Sequence, residues 1–308
     1  MRTITNLSEF PELKKKTAVA IGNFDGVHLG HQRILTNLIK TARNNDLVPV
    51  VLTFSPHPEK FFNKDDFHLI QTPEEKLDFI RQFRIKITVE LSFDKALSQL
   101  SPSRFMEDIL IRSLLCKYIV VGRNFRFGKN RKGDVKHLQK MARVHHIKLQ
   151  SIPQVSLQGE TISSSKIRSH LYSGEIERAN QFLGRPYQIN GTVIKGYSRG
   201  KHIGFPTANL ESHHDIIPKG VFITESLIRD KSYPSVTNIG KCPTFKNSKD
   251  HIESHILNLQ DEIYGTAMTL RFFKKIRDEK KFDSPEMLKK QIARDINSAK
   301  QYFSRDTS

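Results

Sequence analysis

Cysteine is nearly absent from this chain: Cys116 and Cys242 are the only two in 308 residues. Two thiols that far apart make no disulfide framework, so a reducing compartment, the cytoplasm, is expected. There is no CxxC pair and no HExxH helix, which removes the common zinc arrangements. The first ten residues are polar and lack the apolar core of a signal peptide. Long apolar runs are missing too. Around residues 109–121, Arg112 and Lys117 interrupt the nearest candidate, so no membrane partner is expected. Acidic residues are in short supply: 32 Asp and Glu stand against 50 Lys and Arg, a net charge of +18. That balance attracts polyanions, either nucleic acid or nucleotides with several phosphates. The basic residues are scattered over 14–16, 129–132 and 274–281 rather than gathered into one stripe. A nucleotide-binding protein with a generally basic surface accounts for this, and RNA stays open as an alternative. No repeat or low-complexity segment occurs, and no pattern specifies an oligomer. With 37% hydrophobic and 27% charged residues, the length suits one large or two ordinary globular domains.

The most concentrated signal is Gly22-Asn23-Phe24-Asp25-Gly26-Val27-His28-Leu29-Gly30-His31. An apolar run over 18–21 leads in. Ile34, Leu35, Leu38, Ile39 and Ala42 follow at helical spacing. The pattern is strand, glycine-rich turn, helix. Free N–H groups and the helix dipole at such a turn favour an anion. Gly26 and Gly30 would let the backbone approach a bulky ligand closely. His28 and His31, three apart, would share a face and donate hydrogen bonds to phosphate oxygens as charge develops. Two such histidines alone are more often surface or metal-site residues; the strand before them and the striped helix after them favour phosphate.

Up to about Gly184 the pattern alternates. Strands are predicted over 48–54, 87–91, 118–122 and 147–150, and helices over 74–83, 103–115 and 134–145. Such alternation implies a parallel sheet flanked by helices, with ligands at the strand carboxyl ends. No GxGxxG follows the first strand, so the unit is not a standard dinucleotide-binding one. Three strand ends stand out. Thr53-Phe54-Ser55-Pro56-His57-Pro58 is a stiff loop, which on its own reads as a plain turn. Gly122-Arg123-Asn124-Phe125-Arg126-Phe127-Gly128 suits either a stacking wall for a flat ring or half-buried strand aromatics. Ile162-Ser163-Ser164-Ser165-Lys166-Ile167-Arg168 opens a short helix ending near Gly174; its serines suit either N-caps or a second phosphate site.

Arg185-Pro186 marks a boundary, giving domains over 1–184 and 185–308. Beyond it, strands are predicted over 188–195, 221–228, 233–239, 251–259 and 266–273, as in a small β-barrel. An amphipathic helix over 285–302, with Met287, Leu288, Ile292, Ile296 and Ala299, closes the chain. The run from Gly196 to Asn209 is glycine-rich and basic, and its Gly200 and Lys201 suit a phosphate cover. Its spacing is one residue short of a Walker A loop. Thr207 and Asn209 offer two neutral oxygens to a hard cation. On the residues alone, a Pro-kinked turn is the preferred reading of Pro206-Thr207-Ala208-Asn209.

Residues 22–31 resemble the signature of HxGH nucleotidyltransferases, and in detail the N-terminal module of bacterial riboflavin kinase/FAD synthetases. The Pro-His-Pro, Asn124-Phe125-Arg126-Phe127 and Ser-Ser-Ser-Lys-Ile-Arg stretches follow in that family's order. The resemblance implies an α/β, Rossmann-like parallel sheet that adenylylates FMN with ATP. By it, His28 and His31 are catalytic and hold the ATP phosphates on the turn built from Gly22, Phe24, Asp25, Gly26 and Gly30. Ser163, Ser164, Ser165, Lys166 and Arg168 bind the triphosphate from the other side. Phe54, His57, Asn124, Phe125 and Phe127 line the flavin, and Mg²⁺ is held mainly by phosphates and water. Residues 204–209 resemble the Gly-Phe-Pro-Thr-Ala-Asn signature of riboflavin kinases. Asn238-Ile239-Gly240, Ile252-Glu253-Ser254-His255 and Tyr264-Gly265 follow in order. By that match the barrel phosphorylates riboflavin: Thr207 and Asn209 hold Mg-ATP, Gly200 and Lys201 cover phosphates, and Glu253 is the general base. Lys166, Lys201, Phe222 and Asn258-Leu259 depart from common family residues, and Ser165 stands for the usual Thr. The departures in the barrel admit an alternative, the same architecture with a weak or inactive kinase. An RNA-binding protein on such a fold is a further one.

Overall fold

The computed structural model describes residues 1–10, 15–64, 66–196, 204–241 and 250–305. They form two compact units, Met1–His68 with Thr72–Ser164, and Leu69–Gln71 with Ser165–Ser308. In the first unit the strands are β1 (Arg2–Ile4), β2 (Thr17–Ile21), β3 (Val48–Ser55), β4 (Ile87–Ser92), β5 (Cys116–Gly122) and β8 (Lys148–Ile152). Two short hairpins are β6 (Arg126–Phe127) with β7 (Gly133–Asp134), and β9 (Ser156–Leu157) with β10 (Glu160–Thr161). The main sheet runs β1-β4-β3-β2-β5-β8, parallel throughout.

All five residues of β2 are buried because helices cover both faces of the sheet. Ala18 and Ala20 pack against Leu35 and Leu38 of α1 (Leu29–Asn44) and Ile80 of α3 (Pro73–Gln82). Val19 and Ile21 point the other way, toward Met106, Ile109 and Leu110 of the helix over 102–113 and Leu138 of α6 (Val135–Val144). This is the period of two expected of a strand. From β2 the chain moves outward through β3 to β4, then returns to lay β5 on β2's other side. The crevice at the carboxyl ends of β2 and β5 is therefore a topological switch point, where open α/β sheets bind ligands.

Several short elements have no periodicity to betray them: β1, α2 (Pro58–Phe62) and α4 (Lys95–Gln99). The polar first ten residues give no sign of β1, yet Ile4 is fully buried and the strand pairs with β4. The helix expected over 103–115 begins as Pro102–Arg104 and continues as wider π-helical turns over Phe105–Ser113, together α5. Leu114 N donates to Ile109 O at 2.9 Å, a five-residue closure.

The second unit contains α7 (Ser164–Tyr172) beyond its first residue, α8 (Ile176–Leu183), a closed barrel and α9 (Pro285–Arg305). The barrel strands are β11 (Tyr187–Ile194), β12 (Ala208–Ser212), β13 (Gly220–Ile228), β14 (Lys231–Lys241), β15 (Asp250–Ile256) and β16 (Ala267–Arg277), closed as β11-β12-β15-β14-β13-β16. β12 was not anticipated. It begins inside the segment read as a Pro-kinked turn, so Ala208 and Asn209 lie on a strand rather than in a loop. The helix pair is stitched to the barrel by Asn180, whose amide donates to Phe272 O at 2.7 Å and whose Oδ1 accepts from Tyr187 N at 2.6 Å.

One face of β13 and β14 presents Val221, Ile223 and Val236 to Ile296 and Ala299 of α9. Asp295, buried on α9, clasps Arg277 at 2.9 to 3.3 Å. The opposite face carries five fully buried hydroxyl side chains that close a ring. It runs Thr224–Ser235 (2.8 Å), Ser235–Ser226 (2.9 Å), Ser226–Ser254 (3.4 Å), Ser254–Thr237 (3.0 Å) and Thr237–Thr224 (2.7 Å). Each member can donate once and accept once, so burial strands no polar atom.

Candidate active sites

His28 is the N-cap of α1. Its Nδ1 accepts from Gly30 N at 3.1 Å and from His31 N at 3.3 Å. In a neutral imidazole that leaves Nε2 as the protonated, donating nitrogen. The ring stacks on His31 with centroids 3.7 Å apart and planes 16° from parallel. A Cβ on Gly30 would lie 3.0 Å from His28 Cε1. A side chain at Gly30 would therefore crowd the capping His28 ring. α1 has no acidic residue in its first turn to oppose an anion there.

The turn before it is tightly specified. Phe24 is fully buried at φ 53°, with its ring 5.3 Å from that of His31. A Cβ on Gly22 would stand 3.2 Å from the Phe24 ring. Gly26 (φ 83°) and β-branched Val27 (φ 38°) are left-handed, a strained choice at Val27. Thr53 on β3 donates to Asn23 O at 3.2 Å, and Ser164 donates its hydroxyl to the carbonyl of buried Asp25 at 2.8 Å. That bond ties the turn to the first residue of α7. Ser163 precedes it; Ser165, Lys166 and Arg168 continue along α7 in the second compact unit.

At the end of β3, Phe54 meets Phe93 edge-on at 6.0 Å. Phe93 also meets Phe61 at 5.5 Å and Phe62 at 5.9 Å, and the last two are exposed. No spacing rule in the sequence connects these three partners to Phe54; the local mark is the adjacent Phe61-Phe62 pair shortly after His57. His57 caps α2, its Nδ1 accepting from Glu59 N at 3.1 Å, and stacks on Phe67 at 4.5 Å. Asn124 is exposed beyond β5, its Oδ1 3.2 Å from where a Cβ on Gly122 would be. Phe125 is half-buried and stacks on Phe127 at 5.5 Å. Phe127 itself belongs to the core beside Phe105, and a Cβ on Gly133 would fall 2.6 Å from its ring. It has no free face for a flavin, and the strand-aromatic reading holds for it.

In the barrel, Asn209 on β12 pairs with Glu253 on β15, which pairs with Asn238 on β14. Directly opposed residues project from the same face, so the three side chains form a row. The Asn238-Ile239-Gly240 motif by itself assigns Asn238 no role; the strand register places it in this row. Asn209 lies so close to Gly196 that a Cβ there would fall 2.0 Å from its Nδ2. Thr207 precedes β12, and His255 Nδ1 sits 2.8 Å from Pro206 O, fastening that approach. Gly200 and Lys201 lie outside the described residues. Phe222 is fully buried, edge-on to Phe272 at 5.4 Å. Asn258 adopts φ 62°, a backbone that Asn tolerates better than most residues.

Among the described residues no group of three or more His, Cys, Asp or Glu forms a metal cage, and no helix is long and apolar enough to cross a membrane. A histidine-capped turn at the switch point of a parallel sheet, joined to a closed barrel, defines a protein of nucleotidyltransferase-plus-barrel type. A family model for FAD synthetase matches residues 10–166, and one for riboflavin kinase matches residues 183–303. The bifunctional riboflavin kinase/FMN adenylyltransferase of Buchnera aphidicola subsp. Schizaphis graminum is 36% identical, over 98% of this chain and 99% of its own length. The Escherichia coli K12 protein of the same description is 35% identical over 98% and 97%. A crystal structure described as a macrolide-efflux protein from Streptococcus pneumoniae superposes with TM-score 0.87 at 28% identity, covering 97% of this chain and 98% of that one. The chain belongs to the bifunctional riboflavin kinase/FMN adenylyltransferase family.

Proposed function

We propose that this chain makes FAD in the cytoplasm in two ATP-dependent steps: residues 185–308 phosphorylate riboflavin to FMN, and residues 1–184 adenylylate FMN. The observation that carries the reading is the His28–Gly30–His31 cap at the start of α1, where the sheet order reverses. In the adenylyl transfer, an oxygen of the FMN phosphate bonds to the α-phosphorus of ATP and the α–β bridging bond breaks. The protein supplies position and charge stabilisation. His28 Nε2–H, His31 and the positive end of the α1 dipole hold the phosphates. Phe54 with Phe61, Phe62 and Phe93 offers the flavin an apolar face, and Asn124 a polar edge.

In the kinase, Glu253 takes the proton of the riboflavin 5′-hydroxyl while that oxygen attacks the γ-phosphorus and ADP leaves. Thr207 and Asn209 are the residues that would hold Mg²⁺, which neutralises phosphate charge. Both are neutral donors, so the nucleotide must supply the anionic ligands. The flavins and ATP are then the partners, and RNA is not needed to explain the charge.

Purified chain given ATP, Mg²⁺ and either riboflavin or FMN tests the proposal. FMN and FAD from riboflavin, and FAD from FMN, are expected. FAD from FMN alone removes the kinase; no FAD from either removes the adenylyl transfer.

A further inference from the structure

Lys76 goes against two local preferences. It is the fourth residue of α3, near the end where the helix dipole opposes a cation, and it is only 7% exposed. Its ammonium stands 2.9 Å from Glu90 Oε1 on β4 and donates to Phe54 O at 3.2 Å. A buried ion pair is weak evidence of stabilisation, because well-packed apolar replacements often do as well. The geometry offers another purpose. On β3, Leu52 O accepts from Gly22 N at 3.1 Å, the last such bond toward β2. Alternate carbonyls along a strand share an edge, so Phe54 O faces the same way. There β2 has already ended, at Ile21, and the chain has turned into the loop that Thr53 holds at Asn23. The Lys76 ammonium takes the place of the missing strand. One residue on, Ser55 O accepts from Phe93 N at 2.9 Å. Together these two bonds fix the backbone from which Phe54 meets Phe93, and Phe93 meets the exposed Phe61 and Phe62.

We propose that Lys76, locked by Glu90, is a positioning residue for the flavin end of the adenylyl-transfer site. It holds the Phe54 carbonyl, and through it the aromatic group, without touching ATP. This rests on the adenylyl-transfer reading above.

The test is the double variant Lys76→Met/Glu90→Leu, which removes both charges so that neither is stranded. The KM for FMN is expected to rise about tenfold or more, with kcat and the KM for ATP within about twofold of the parent. Riboflavin phosphorylation by the same preparation should be unchanged. Lys76→Arg keeps the charge beside Glu90 but alters its reach, and should raise the KM for FMN only about two- to threefold. An FMN KM equal to the parent's in the double variant overturns the proposal; so does an equal rise for ATP. Should the double variant fail to fold, Lys76→Arg decides alone: a selective rise supports the proposal and no rise overturns it. A parent chain that makes no FAD from FMN is the separate failure of the adenylyl-transfer reading.

Discussion

The two compact units solve opposite problems. The first has an apolar interior on both sides of its sheet and puts its polar chemistry in loops beyond the strand ends. The second keeps hydroxyls inside its barrel and sets Asn209, Glu253 and Asn238 directly on strands, in register. Loops at a switch point are adjustable, and this turn is stiffened by strained Val27, by the His28 cap and by bonds from Thr53 and Ser164. A strand row needs no such devices, because the ladder sets the spacing. It does depend on the ladder never slipping, since a one-residue slip reverses every side chain.

The contrast breaks most visibly if the sites are not independent. Replacing both His28 and His31 by Ala should lower FAD formation from FMN by more than about 10³-fold, while FMN formation from riboflavin stays at the parent rate. His28→Asn sharpens this. Asn is a good N-cap, so α1 keeps its start, and a loss of about 10²-fold then belongs to the missing Nε2 donor rather than to unfolding. The reciprocal variant, Glu253→Gln, should cost about 10²- to 10³-fold in riboflavin phosphorylation and nothing in adenylyl transfer. Steady-state rates with the two flavins separate these cases in one preparation.

Smaller effects probe how each unit is held. Gly196→Ala pushes a methyl into Asn209 and should weaken Mg-ATP use by the kinase about tenfold, as a rise in its KM. Thr237→Val is nearly isosteric but opens the hydroxyl ring; urea unfolding should show a loss of about 1–3 kcal/mol. The smallest effect concerns Cys116, whose thiol is pushed up from 9.0 to about 12 by burial in the first unit. Unfolding frees a thiol that ionises near 9, so this contribution is complete below pH 9 and is lost as the pH climbs toward 12. Cys116→Ser should flatten that alkaline decline in thermal unfolding.

How far the residues announced all this differed between the units for a physical reason. The turn at 22–31 is contiguous, and the alternation of strands and helices around it reports a two-faced sheet, so the fold and the strand–turn–helix that carries the histidines were both legible. The Asn209–Glu253–Asn238 row draws on three strands distant in sequence, and only family resemblance singled out its members. Asn238 stayed without a role because nothing local marks it. β12 was hidden by its short length beside Pro206. Lys76 sits where a helical pattern places a solvated cation, and its burial follows from Glu90 and Phe54, which no spacing rule connects to it. Phe127 could be a wall or a core residue until Gly133 and Phe105 were seen against it.

The closed circle of hydroxyls in the barrel has an evolutionary corollary. Any single loss leaves two neighbours thirsting for partners in a dry interior, whereas exchanging all five for hydrocarbon strands none. Gradual drift away from the circle is therefore uphill at its first step, and relatives are expected to keep it whole or to have abandoned it altogether.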